Sequence, residues 1–230
     1  MICQKTILAI IPARGGSRRV AKKNIRPVGG KPLIVWTILE AKKSKYIDRL
    51  ILSSEDPEII AVARQWECEA PFVRPAELAQ AQTPGVDPVI HALEVLPEKY
   101  DYVLLLQPTS PLRLAADIDG CLEKCCRQDS PSCVAVAEFV KSPYWLYTVD
   151  ASERLRPFFE KPENQKEPKS YLMNGALYLA KTEWLQQQRT FLTPETTAYI
   201  MPPERSLDVD TEFDLSLCDL ILSPRNILAI

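Results

Sequence analysis

The sequence predicts an α/β fold with a mostly parallel sheet covered on both faces by helices. Three observations carry this. Five apolar runs of strand length recur along the chain: TILAII, RLILSS, DYVLLLQ, SCVAVAEF and GALYLA. Segments with helical spacing of apolar residues lie among them, and strand–helix alternation implies βαβ units. The chain has 230 residues and is 46% hydrophobic, enough for one full core.

The elements follow in order. TILAII, Thr6 to Ile11, is too short and too apolar for a surface helix and reads as a buried strand. PLIVWTILEAKKS repeats apolar residues at Leu33, Ile34, Trp36, Ile38 and Ala41, a helical stripe. RLILSS is the second strand, and PEIIAVARQWE and DPVIHALEVL are helices of the same period. DYVLLLQ is the third strand. AADIDGCLEKCC is a helix with Cys121, Cys125 and Cys126 at helical spacing. SCVAVAEF and GALYLA complete the strands, and TEFDLSLCDLILS is the last helix. Between the last two strands lies a proline- and charge-rich stretch, about 139–171. Its aromatics Tyr144, Trp145, Tyr147, Phe158 and Phe159 read as an oligomer contact or as a local mini-core.

Composition excludes several classes. The formal net charge is −2, so a globally basic nucleic-acid binder is not expected. No apolar run approaches the roughly 18 residues of a membrane helix. MICQKTILAIIPARGG runs straight into a charged loop without a small-residue cleavage pattern, so no secretory leader is expected and the chain is expected in the cytoplasm. The seven cysteines sit mostly in apolar segments, and His91 is the one histidine; packed reduced thiols are expected rather than a zinc site.

Charge is instead concentrated locally. After the first strand come Arg14, Gly15, Gly16, Ser17, Arg18 and Arg19, then Lys22, Lys23 and Asn24. Ligands bind beyond the carboxyl ends of strands in such sheets. Glycines allow close backbone approach, and Arg14 and Lys23 supply charge-assisted contacts, so the loop reads as a site for a polyphosphate or nucleotide. The spacing is neither the dinucleotide fingerprint nor the Walker pattern. After the third strand, LLLQPTSPLR places Gln107, Thr109, Ser110 and Arg113 at a proline-stiffened turn, either a ligand shelf or a helix cap. In SLDVDTEFDL, Asp208 and Asp210 alternate as on a strand and share a face. Two such carboxylates repel unless a cation sits between them or one takes a proton, and oxygen ligands with a phosphate substrate point to magnesium. Asp210 or Thr211 also suits the cap of the last helix, with Asp214 in its first turn, and both roles are compatible.

The ordered set ARGGSRRVAKKN, RPAELA, LLQPTSPLR, NGALYL and DVDTEFDL resembles the acylneuraminate cytidylyltransferase family, the CMP-sialic acid synthetases among them, over about Ile7 to Leu222. The resemblance implies a single 1–230 domain. It would be a Rossmann-like three-layer sandwich of the nucleotide-diphospho-sugar transferase type, with a dimerisation excursion near 139–171 and a homodimer. It implies transfer of CMP from CTP to a 2-keto-3-deoxy sugar acid, with release of pyrophosphate and with Mg2+ as cofactor. Arg14 and Lys23 would hold the triphosphate. Asn24, Gly15, Gly16, Ser17 and Thr83 would contact the nucleotide, with Asp87 beside them, and the backbone at Ala13, with Arg14, would read the pyrimidine. Gln107 would face the sugar, with Thr109, Ser110, Arg113 and Asn174 on the substrate side. Asp208 and Asp210 would hold the metal.

One departure stands out. Relatives handling sialate often carry an arginine–glutamine pair and then an arginine just upstream of the NGA motif. Here Asn164, before Gln165, and Leu172 occupy the arginine positions, with Lys166 and Lys169 nearby. Arginine's planar fork grips a carboxylate in a way lysine does not. The acceptor is therefore open between a sialate, a legionaminate- or pseudaminate-type sugar and a sugar that is not an acid. Two other classes remain: a nucleotidyltransferase using another nucleotide and a sugar phosphate, and a non-catalytic nucleotide-binding protein.

Overall fold

A computed structural model of the chain describes residues 2, 4–161 and 169–223. Ile7 to Pro12 form β1, whose first five residues are buried. Their side chains divide between the two faces of the sheet as strand geometry requires. Ile7, Ala9 and Ile11 join one apolar cluster, and Leu8 and Ile10 the other. After β1 the basic loop passes into a small hairpin, β2 (Pro27–Val28) and β3 (Lys31–Pro32). It turns on Gly29 and Gly30, both at positive φ. Then follow α1 (Leu33–Lys43), β4 (Arg49–Ser53) and α2 (Pro57–Gln65), the last capped by Asp56. The middle of the chain forms α3 (Asp87–Val95), β5 (Tyr102–Leu106), α4 (Ala115–Arg127) and β6 (Ser132–Phe139). The remainder comprises β7 (Tyr147–Val149), β8 (Leu155–Pro157), β9 (Ser170–Lys181), α5 (Thr182–Gln188), β10 (Thr197–Met201) and α6 (Glu212–Leu222).

The central sheet has six strands in the order β10-β6-β9-β5-β1-β4. Helices α1, α2 and α4 cover one face, and α3 and α5 the other, giving the expected three layers. β1 pairs in parallel with both β4 and β5, and β10 with β6. β9 runs antiparallel to both its neighbours, β5 and β6. The chain leaves β1 toward β4 on one side and returns to β5 on the other. That reversal opens a crevice at the carboxyl ends of β1 and β5, where open α/β sheets bind ligands. A third apolar cluster, including Val20, Val28, Leu112, Val209 and Leu215, ties the basic loop and α6 to the rim of that crevice.

Several elements differ from expectation. β10, α5 and the two small hairpins were not anticipated, and β9 begins before GALYLA, at Ser170. Residues 206–210 are irregular rather than a strand. The excursion between β6 and β9 carries the hairpin β7–β8 and exposes Val140, Trp145, Val149, Leu155 and Phe158. Asn164, Gln165 and Lys166 lie outside the described residues. Leu172 is exposed on β9, and Lys169 pairs with Glu138 at 3.3 Å. Cys68, Cys125 and Cys218 are buried, which pushes each thiol up to about 12, as expected of packed thiols. Among the described residues no helix is long and apolar enough to cross a membrane.

Arg113 lies beneath the crevice and is 1% exposed. Its Nη1 donates to the carbonyls of Ala176 (2.7 Å) and Gln107 (3.2 Å), and its Nη2 to Thr37 Oγ1 (2.7 Å). It thus joins α1, β9 and the end of β5. Arg113→Ala leaves those acceptors unpaired around a cavity, so we expect a loss of ~3 kcal/mol or more in stability. Denaturant unfolding measures it, and a loss under ~1 kcal/mol would contradict the brace.

Candidate active site

The crevice is a cleft of about 400 Å3. Its walls come from four segments: the loop after β1, residues 74–88, the loop after β5, and residues 208–210.

The basic loop is held by its own glycine. A Cβ on Gly15 would collide with the Asp56 carboxylate, so only glycine permits this approach. The Gly15 N–H donates to Glu55 Oε1 at 2.7 Å, and Glu55 Oε2 accepts from Arg74 Nη2 at 2.6 Å. Arg74 is 3% exposed, so this is a buried, charge-assisted tie. Arg14 crosses the cleft mouth and donates to the Gln80 carbonyl at 2.6 Å. Asn24 donates from Nδ2 to the Arg14 carbonyl at 3.0 Å, while its buried Oδ1 has no partner among the described residues. Lys23 donates to the Val209 carbonyl (2.7 Å) and to Asp210 Oδ1 (3.1 Å). Arg19 takes the other Asp210 oxygen at 3.1 Å.

The acidic wall is fixed from beneath. Val209 is buried and donates its N–H to the Thr109 carbonyl at 2.8 Å, so the residues on either side of it both turn into the cleft. Thr211 and Asp214 form a reciprocal capping box at the start of α6, and Asp214 also accepts from the Asp210 N–H. Asp208 is exposed as a residue, and its carboxyl stands in the wall of the cleft. Partial desolvation there raises its pKa above the usual carboxylate value; a hydrogen bond from Thr109 opposes the shift and the charge of Asp210 adds to it. Gly175 has φ +75°, and a Cβ there would lie 2.7 Å from Gln107 Oε1 and 3.4 Å from Asp208 Oδ2. The bare glycine lets amide and carboxylate meet above β9.

The family model for cytidylyltransferases matches residues 8–169. The chain belongs to this family. It is an enzyme, a nucleotidyltransferase. It is 33% identical over 221 residues to a pseudaminic acid cytidylyltransferase of Campylobacter jejuni, covering 93% of this chain and 95% of that one. It is 32% identical to a CMP-N,N'-diacetyllegionaminic acid synthase of Legionella pneumophila, covering 94% and 96%. A CMP:2-keto-3-deoxy-manno-octonic acid synthetase, solved with CTP, shares the fold with a TM-score of 0.72 and 17% identity, covering 94% of this chain and 98% of that one.

In this cytidylyltransferase Arg14, Ser17, Lys23, Asn24, Thr83, Gln107, Thr109, Asp208 and Asp210 all line the cleft. Other residues anticipated from the sequence do not. Ala13 is buried behind the loop, donating to the Ser53 carbonyl at 3.0 Å. Gly15 and Gly16 shape the loop without lining the cleft. Ser110, Arg113 and Asn174 are corrections to the substrate side. Ser110 is buried against the Asn174 carbonyl, Arg113 braces the fold, and Asn174 Nδ2 donates to Ser206 Oγ at 2.9 Å. Their polar groups are spent on the backbone and on each other. Asp87 faces Arg189 at 3.7 Å instead of the cleft. Sequence reasoning passed over Glu55 and the role of Arg74; the opening Arg of RPAELA was its only signal. His91 packs edge-on against Phe72, away from the chemistry.

The raised pKa of Asp208 has a consequence for stability. Its proton leaves the unfolded chain at a lower pH than it leaves the fold, so its ionisation costs folded stability. That cost sets in as pH rises through the ordinary carboxylate range and is complete above the raised value. We expect Asp208→Asn, without ligand or divalent cation, to melt at a higher temperature than the parent at pH 7. The two should converge as pH falls below that range. Thermal melts across pH check this, and a lower melting temperature at pH 7 refutes it.

Proposed function

We propose that this cytidylyltransferase joins CTP to a nonulosonate-type 2-keto-3-deoxy sugar acid and releases pyrophosphate. One observation carries the reading. A single cleft sets Arg14 and Lys23 against two carboxylates, one of which Arg19 also reaches from beside the cleft, with the Gln107 amide between them and a second cavity. Relatives acting on pseudaminic and legionaminic acids support the acceptor class.

The cations along the loop would take the triphosphate, since arginine and lysine donate well to phosphate oxygens. The unpartnered Asn24 Oδ1 offers an acceptor to a nucleotide hydroxyl or amine. Gln107 would orient the sugar so that its anomeric hydroxyl meets the α-phosphorus in line, a reaction governed by positioning and charge. Asp208 and Asp210 fit Mg2+, a hard cation that takes one or two carboxylates together with waters and phosphate oxygens. The raised Asp208 pKa is what a cation between them would relieve. Bound there, the metal would neutralise charge on the departing pyrophosphate. Lys23 and Arg19 now neutralise Asp210, and a triphosphate would compete for both, freeing that carboxylate.

The exposed apolar excursion around β7–β8 fits a homodimer contact. Free, buried thiols suit a reducing compartment, which supports work in the cytoplasm.

Pyrophosphate release in magnesium buffer tests the activity. CTP, GTP, UTP and ATP would each be paired with N-acetylneuraminate, diacetyllegionaminate, pseudaminate, 3-deoxy-octulosonate and sugar phosphates. We expect release with CTP and a nonulosonate, and Asp210→Asn to lose at least about a hundredfold in turnover while folding normally. Release only with another nucleotide or with sugar phosphates would overturn the reading. For the assembly, Trp145→Asp with Phe158→Asp should convert a dimer to a monomer in light scattering. A parent protein already monomeric at micromolar concentration would refute the dimer.

A further inference from the structure

Beside the nucleotide cleft lies a side pocket of about 260 Å3. Arg14, Arg18, Arg19 and Lys23 line it, and among its described lining residues Asp210 is the one carboxylate. Arg14, Lys23 and Asp210 also line the cleft, whereas Arg19 lines only the side pocket. Four cations around one space suit an anion. A carboxylate among them repels that same anion unless a cation sits on it.

Both oxygens of this carboxylate are engaged. Lys23 donates to Asp210 Oδ1 and Arg19 to Asp210 Oδ2, each at 3.1 Å. The two donors are not equivalent. Lys23 is tied a second time, to the Val209 carbonyl at 2.7 Å, and its side chain is only 14% exposed. The Arg19 side chain is 68% exposed, and Asp210 is the one partner of its guanidinium among the described residues. Arg19 can therefore leave Asp210 by side-chain rotation, with no other guanidinium bond to break. Until it does, a divalent cation approaching Asp210 meets two positive charges already in place.

We propose that Arg19 is a counter-ion that makes divalent-cation binding at Asp210 conditional on the nucleotide. The inference rests on the proposed function and names how its cation site is regulated. In the free protein Arg19 stands where the cation would bind. Phosphate oxygens in the side pocket offer the guanidinium a bidentate partner, which arginine matches in shape and charge. Arg19 turns to them, and Asp210 is released as those oxygens arrive to complete a hard cation's shell. Nucleotide and cation then favour each other's binding, and linkage makes the effect reciprocal.

The test reads binding, not turnover. The probe is Mn2+, a hard cation that takes the oxygen ligands Mg2+ takes, followed by electron paramagnetic resonance on the nucleotide-free protein. CTP binding is measured by calorimetry in EDTA and again with Mn2+. The parent is compared with Arg19→Ala, Arg19→Lys and the double variant Arg19→Ala with Asp210→Asn. Exposed ion pairs are weak, so the effect is modest. We expect Arg19→Ala to bind Mn2+ about two- to fivefold more tightly than the parent, and CTP in EDTA more weakly by a similar factor. Arg19→Lys keeps the charge and should recover most of the parent's behaviour. Opposite signs for cation and nucleotide are the signature, because loss of a merely structural contact would weaken both. Adding Asp210→Asn should erase the gain in Mn2+ affinity. Mn2+ affinity that is unchanged or weaker in Arg19→Ala overturns the inference alone, as does a gain that survives Asp210→Asn. Parent protein that binds CTP equally well in EDTA and in Mn2+ overturns the cation site of the proposed function and this inference together.

Discussion

The Arg113 guanidinium reaches three parts of the fold from one buried position, and the site is assembled on what it holds. Its two carbonyl partners belong to Gln107, where β5 ends, and to Ala176, in the middle of β9 just before it pairs with β5. These strands run antiparallel, so their relative register decides whether Gln107 lies over Gly175. With that register set, the space left by the missing Gly175 side chain admits both the Gln107 amide and the Asp208 carboxylate. A second buried tie works from the far side. Asp117, 1% exposed in its side chain, accepts from Arg205 at 2.8 Å and draws the chain before Asp208 against the start of α4. Carboxylate and amide are therefore positioned from beneath by charge-assisted bonds that solvent does not reach easily.

Above that base the cleft is a matter of charge exchange. Arg19 and Lys23 share Asp210, and Arg14 spans to a backbone carbonyl. None of these cations has a fully buried carboxylate partner, so moving them to phosphate oxygens breaks contacts that are individually weak at a wet surface. The loop itself need not move. Gly15 is anchored through Glu55 to Arg74, and Asn24 holds the Arg14 carbonyl. A fixed backbone carrying reassignable side chains is the arrangement that electrostatic catalysis of phosphoryl transfer asks for.

The layered fold and the location of the cleft were legible because apolar runs and helical stripes are written in local sequence. Direction is not. GALYLA has the composition of any buried strand, and nothing in it distinguishes an antiparallel strand from a parallel one. TAYIM escaped notice because it is short, half exposed and at the sheet edge. Residues of the basic loop and both aspartates do line one cleft, though for Asp208 and Asp210 the reason differs. A buried Val209 between them, not a strand, turns both toward the cleft. Arg113, Ser110 and Asn174 were read as substrate-facing because polar residues at a strand's end look alike whether they point up to a ligand or down to the backbone. That choice is settled by tertiary partners far away in sequence, such as Thr37 for Arg113.

The two cavities divide the chain in a way that bears on how such an enzyme selects its acceptor. The cleft with the loop cations is built largely from the loops after β1 and β5 and from residues 74–88, and ties through Gly15, Glu55 and Arg74 hold its first wall. The second cavity is built largely from β9 and the segment after α5, with Tyr178, Arg189, Phe191 and Leu192. Gln107 stands at their boundary, held by its backbone through Arg113 rather than by either set of walls. Substitutions on the α5 side can thus reshape the second cavity while the loop cations and both aspartates keep their partners. Relatives that share this fold and its cytidylyl chemistry but bear the names of different sugar acids are what such a division would allow.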